Sequence, residues 1–142
     1  MQKFITHSAT ETQELAKNLA QKCRDGAIIA LSGPLGAGKT AFTQGFAQGL
    51  GISERLISPT FILMRQYNIP NHPHGKLFHI DLYRLENAEE IESLGLEEIF
   101  ANPQNITLIE WAEKLGQKLP PKAIKIKIKI LSKNSREIEV RG

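Results

Sequence analysis

The sequence predicts a three-layer α/β fold in which a central mixed sheet, parallel at its core with antiparallel additions, is flanked by helices. Three observations predict it. The apolar run Ala27-Ile28-Ile29-Ala30-Leu31 enters a glycine-rich loop that opens an amphipathic helix. Two further strand-like runs, Lys76 to Asp81 and Ile106 to Glu110, each end in an acid. The last part of the chain carries two alternating segments around a polar turn, the pattern of a hairpin.

In chain order, Phe4 to Thr6 reads as a short strand. Thr10-Glu11-Thr12-Gln13 has capping-box spacing and predicts the start of a helix whose stripe is Leu15, Ala16, Leu19, Ala20 and Cys23, with Asp25-Gly26 as its end. The strand Ala27 to Leu31 follows. The helix Thr40 to Leu50 sets Phe42, Phe46 and Leu50 at i, i+4 and i+8 and stops at Gly51. Ile57 to Met64 reads as a turn into a strand, and Asn68 to Gly75, rich in proline, asparagine and glycine, as a loop. Helices are expected at Ala88 to Leu94 and around Leu96 to Phe100. In Ile124 to Ile130 isoleucine and lysine alternate strictly, which predicts a half-buried edge strand with a wet lysine face. Arg136 to Val140 then returns as its hairpin partner, the turn falling at Lys133-Asn134-Ser135.

The glycine-rich loop carries the strongest chemistry. Gly33-Pro34-Leu35-Gly36-Ala37-Gly38-Lys39-Thr40 fits G-x-x-x-x-G-K-[ST] at every fixed position. A triphosphate needs convergent N–H donors and little side-chain bulk, which glycines supply through positive φ and close backbone approach. Lys39 would set an ammonium against the β- and γ-phosphates, and the Thr40 hydroxyl is spaced to ligate the accompanying Mg²⁺. The helix that follows would aim its N-terminus at the phosphates. The fold class is therefore P-loop NTPase-like.

Which chemistry follows depends on the acids opposite the loop. Glu110, closing the apolar strand Ile106-Thr107-Leu108-Ile109, stands where phosphate-loop enzymes place a Mg²⁺ acid, although aspartate is commoner there. Asp81 could orient the attacking water or a metal-bound water; as a bland alternative it is a helix cap before Leu82-Tyr83-Arg84. Ser58-Pro59-Thr60 occupies the place of a nucleotide-sensing switch. Arg84 and Arg136 are candidates for phosphate or base contacts. His72, His74 and His79 lack the spacing of a metal site.

Composition bounds the rest. At 142 residues the chain is expected to form one domain, 1–142, and 41% hydrophobic with 23% charged residues is the balance of a globular protein. The longest uncharged, mainly apolar stretch, Gly26 to Gly38, falls short of the ~20 residues of a membrane span, and the N-terminus lacks a signal-peptide core. Cys23 is the only cysteine, which excludes an internal disulfide and a thiolate metal cluster and makes the cytoplasm the expected compartment. The net charge of +3 gathers in a lysine-rich late segment that would suit RNA as well as a wet strand face.

Taken together, Leu35 to Thr40, Ser58-Pro59-Thr60, Asp81-Leu82-Tyr83-Arg84-Leu85, Gly95-Leu96-Glu97-Glu98-Ile99-Phe100 and Ile109-Glu110-Trp111 resemble, in order and spacing, the TsaE (YjeE-type) ATPases of bacterial tRNA threonylcarbamoyladenosine biosynthesis. The resemblance implies a protein that binds and hydrolyses ATP with Mg²⁺, weakly alone, and acts with TsaB and TsaD. It implies contact with tRNA only through that complex, in which TsaD transfers threonylcarbamoyl to the adenosine beside the anticodon. By the same resemblance Leu35, Gly36, Ala37, Gly38, Lys39 and Thr40 hold the phosphates, Thr40 and Glu110 ligate Mg²⁺, and Lys39, Asp81, Thr60 and Glu110 serve hydrolysis. Thr10, Glu113 and Arg136 are similar to family positions near the nucleotide. Pro34 departs from the family, where an acidic residue is frequent. The alternative is a small-molecule P-loop kinase; against it, the arginines Arg24, Arg55, Arg65, Arg84, Arg136 and Arg141 are scattered singly rather than gathered in a lid. A guanine switch would need an Asn-Lys-x-Asp signature, which the sequence lacks.

Overall fold

In a computed structural model, residues 1–56 and 63–142 are described. Seven strands, β1 (Gln2–Thr6), β2 (Ala27–Ser32), β3 (Met64–Asn68), β4 (Lys76–Asp81), β5 (Ile106–Glu110), β6 (Ile124–Ile130) and β7 (Arg136–Arg141), form one sheet in the order β1-β7-β6-β2-β5-β4-β3. The centre, β6-β2-β5-β4, is parallel, while β1, β7 and β3 join antiparallel. The helices are α1 (Ala9–Lys22), α2 (Lys39–Gly49), α3 (Ala88–Glu92) and α4 (Leu96–Ala101), with 3₁₀ turns over Ala112–Lys118.

Parallel strands buried on both faces need apolar side chains in both directions, and β2 supplies them. Ile29 and Leu31 face α1 and α2 in one core with Phe42, Phe46 and Leu50. Ile28 and Ala30 face the opposite core, shared by Ile80, Ile109, Leu96, Ile99 and Leu115. Each large side chain removed fully from water in these layers contributes about 2 kcal/mol of transfer free energy. Cys23 closes the first core beneath α1, and burial raises its thiol pKa; it is filler, not a nucleophile.

Four sequence expectations shift. The cap of α1 is Ser8, not Thr10: Ser8 is extended (φ −161°, ψ 163°) and its hydroxyl accepts the Glu11 N–H. Ser8 and Glu11 have capping-box spacing as well, and the earlier pair prevails, with Glu11 accepting from the His7 N–H. Thr12, one residue further on, meets Thr6 in a buried hydroxyl pair at 2.8 Å. The strand expected in 57–64 falls largely outside the described residues, and the described strand β3 runs on to Asn68. The helix expected to Leu94 ends at Glu92. Finally, Ile124–Ile130 is not an edge: it lies between β2 and β7. Its Lys125 and Lys127 are exposed as expected, and Lys127 and Lys129 stand opposite Glu139 and Glu137 of β7. The lysine pattern reports a wet face of an interior strand, because β7 and then β1 extend the sheet beyond it.

Candidate active site

The parallel register decides where the acids lie. Glu110 of β5 pairs in register with Leu31 of β2 on one side and with Asp81 of β4 on the other, so both carboxylates sit level with the point where β2 enters the glycine loop. A cleft of about 740 Å³ opens there, at the carboxyl ends of the parallel strands.

The loop is shaped by backbone conformation. Gly36 (φ 80°) and Gly38 (φ 102°) adopt left-handed values, and a Cβ placed on either would meet no atom within 4 Å, so the concave side stays open. Ala37 turns its methyl into the core and anchors the loop, whereas Leu35 at the tip is 98% exposed. Lys39 starts α2. Its Nζ is 3.9 Å from Glu110 Oε1 and 5.5 Å from the centroid of the Trp111 ring. Thr40, Asp81 and Glu110 all line the cleft. Asp81 Oδ1 accepts the Tyr83 N–H at 3.0 Å, an Asx turn that fixes the carboxylate; it caps no helix, since the next one, α3, starts at Ala88 with Asn87 as its cap.

The remaining candidates lie elsewhere. Arg136 reaches the loop from outside: Nε donates to Ala37 O (3.0 Å) and a terminal nitrogen to Gly36 O (3.3 Å). Its other terminal nitrogen donates to the carbonyls of Ser132, Lys133 and Ser135. The guanidinium thus braces the loop's main chain. Thr10, in the first turn of α1, and Glu113, in the 3₁₀ turns, are exposed and do not line the cleft. Thr60, with Ser58 and Pro59, lies outside the described residues.

Several residues in and beside the cleft were given no individual role from sequence. Trp111, left-handed at φ 61°, tilts against Tyr83 with ring centroids 5.1 Å apart. Lys114 is stacked near the Tyr83 ring and donates to the carbonyls of Tyr83 and Leu85. Gln44 clamps Leu56, donating to its carbonyl at 2.7 Å and accepting its N–H at 3.4 Å. His79 sits in β4, 3% exposed, with Nε2 3.0 Å from Glu110 Oε2. A usable signal for it was present, since an imidazole inside a strand buried on both faces needs a polar partner.

Comparison with known proteins accords with this arrangement. The family model for "Threonylcarbamoyl adenosine biosynthesis protein TsaE" matches residues 6–138. The chain belongs to the TsaE family. The tRNA threonylcarbamoyladenosine biosynthesis protein TsaE of Bacillus subtilis (strain 168) is 43% identical over 136 residues, covering 96% of this chain and 82% of the relative. The TsaE protein of Treponema pallidum (strain Nichols) is 35% identical over 138 residues, covering 96% and 97%. A crystal structure of Bacillus subtilis YdiB superposes with a TM-score of 0.78 at 37% identity, over 96% of this chain and 82% of that one. The α/β sheet with its parallel core is thus shared with a solved structure.

Proposed function

We propose that this chain is a Mg²⁺-dependent ATPase of tRNA threonylcarbamoyladenosine biosynthesis, weak alone and acting in the cytoplasm with TsaB and TsaD, which bring it to tRNA. One observation carries the reading: a left-handed glycine cradle delivers Lys39 and Thr40 to a cleft whose opposite wall holds two acids on adjacent strands in register. Family membership supports the modification pathway. The kinase alternative is not carried forward, because the relatives named above belong to the biosynthesis of one tRNA modification.

The residues fit the groups the reading requires. An open glycine cradle suits phosphate oxygens, and a hydroxyl with a carboxylate is the hard-oxygen donor set Mg²⁺ favours. Among the described residues no three His, Cys, Asp or Glu side chains cluster as a cage, and none is needed by an ion held chiefly through phosphates and water. Leu35 to Thr40 would bind the β- and γ-phosphates through main-chain N–H groups and Lys39; Thr40 and Glu110 would hold Mg²⁺. When bound, Mg²⁺ offsets charge on the phosphate oxygens. Asp81, its carboxylate fixed by the Tyr83 N–H, would orient the attacking water and accept its proton; the products are ADP and inorganic phosphate. Thr60 belongs to the same proposal as a γ-phosphate sensor.

The test separates binding from turnover. Lys39→Ala should abolish ATP binding, while Glu110→Ala should retain it within roughly tenfold and lower Mg²⁺-dependent hydrolysis, measured with purified TsaB and TsaD, by ~10² or more. Equal loss of ATP affinity in both variants contradicts the assigned roles, and wild-type protein that binds no ATP removes the reading.

A further inference from the structure

We infer that His79 is a positioning residue that clamps the Glu110 carboxylate for the metal; the inference rests on the reading of Glu110 as a Mg²⁺ ligand. The two oxygens of Glu110 are divided. Oε1 faces Lys39 across the cleft at 3.9 Å, and Oε2 is 3.0 Å from His79 Nε2 behind it. A carboxylate offers only lone pairs, so the hydrogen of this contact lies on Nε2 and is donated to Glu110. Nδ1, also buried, has no hydrogen-bond partner among the described residues. Among the described residues the imidazole therefore makes one directed bond, and it points at the candidate ligand.

The need for a clamp follows from residue type. Glutamate has one more rotatable bond than the aspartate commoner at this position, and a free carboxylate could swing toward Lys39 or out into the cleft. His79 is placed against that freedom by the sheet itself. It pairs in register with Leu108 of β5, two residues before Glu110, and with Arg65 of β3 on the other side. The contact is thus built from two adjacent central strands and needs no loop to form. Outer partners that orient metal-binding side chains typically change metal affinity or activity by about 10- to 100-fold when removed.

Four substitutions, read by fluorescence, NMR and melting, test this. Trp111 is the sole tryptophan and lines the cleft, so its fluorescence reports Mg²⁺ titrated into protein saturated with ADP. His79→Leu should raise the Mg²⁺ needed by about 10- to 100-fold while leaving ADP affinity in EDTA within about twofold. His79→Gln, whose amide again offers an N–H, should recover most of that loss. On a Glu110→Ala background, His79→Leu should add little further. Imidazole nitrogen NMR of the protein alone should show His79 with its hydrogen on Nε2, and Glu110→Gln should move that signal. The inference is overturned by a hydrogen on Nδ1, by a His79→Leu variant that melts like wild type and keeps the wild-type Mg²⁺ requirement, or by full additivity with Glu110→Ala. Absence of ATP turnover in the wild type would sink the ATPase reading instead, and the fluorescence and NMR measurements would still decide the role of His79.

Discussion

At the residue scale, a tight constraint away from the cleft falls at Gly45, in the helix pair beneath the sheet. It lies in α2 where α1 crosses, and a Cβ added there would sit 2.2 Å from Gln13 O and 2.6 Å from Gln13 Cα. Those are main-chain atoms that cannot rotate aside. Two effects oppose each other in Gly45→Ala: helix propensity gains about 1 kcal/mol, and overpacking costs about 1–3 kcal/mol. With backbone as the obstacle the steric cost wins, since one helix must move relative to the other. Gly45→Ala is expected to lose ~2 kcal/mol, seen as a melting temperature lower by roughly 6 °C. Gln48→Ala, at an exposed position of the same helix, should stay within ~0.5 kcal/mol of wild type. Matching melts for the two variants would show that the helices are free to separate.

Among elements, the hairpin β6–β7 carries a charge ladder with a definite pH signature. Lys129 Nζ lies 2.8 Å from Glu139 Oε1 and 3.7 Å from Glu137 Oε2. Hydrogen bonding to Lys129 lowers the Glu139 pKa below 4.5, and the same bond raises that of Lys129 above 10.5. A lowered carboxylate pKa contributes stability above its unfolded value, lost as pH falls through the folded one. A raised lysine pKa contributes stability below its unfolded value, lost as pH rises through the folded one. The pair therefore supports folding between those two ordinary values and fades on either side. Glu139→Gln should lower the urea midpoint near pH 7, and the gap from wild type should narrow at about pH 3. A gap of equal size at both would assign the loss to packing. The elements also show what the sequence made legible. β4, β5 and β6 are readable to the residue, because an apolar run closed by an acid marks the first two and strict alternation marks the third. The cap of α1 was ambiguous because Ser8 and Thr10 each stand three residues before Glu11 and Gln13 respectively. The 3₁₀ turns over Ala112–Lys118 have no apolar repeat and are interrupted at Gly116, so no periodicity announced them. His79 and Arg136 act through partners far along the chain, which local pattern does not encode.

For the whole molecule, Arg136 joins distant parts. Five main-chain carbonyls share one guanidinium, two on the glycine loop and three in the turn between β6 and β7. A planar fork can serve both sides at once, and a point-like ammonium cannot. Arg136→Lys should therefore weaken ATP binding by about tenfold through a looser loop, with the Mg²⁺ requirement unchanged, as read by a fluorescent ATP analogue. Unaltered affinity would confine the side chain to bracing the hairpin.

That strut has a consequence for the order in which the protein can be made. Residues 33–40 leave the ribosome about a hundred residues ahead of the arginine that braces them. β1, the first strand synthesised, waits longer still, because its sheet partner is β7, the last. A nascent chain that stops before β7 holds its entire glycine loop and both acids, yet neither the brace nor the strand that pairs with β1. The brace on residues 33–40 thus arrives only after about a hundred further residues have been made, so until then the loop is held by its own turns and by α2.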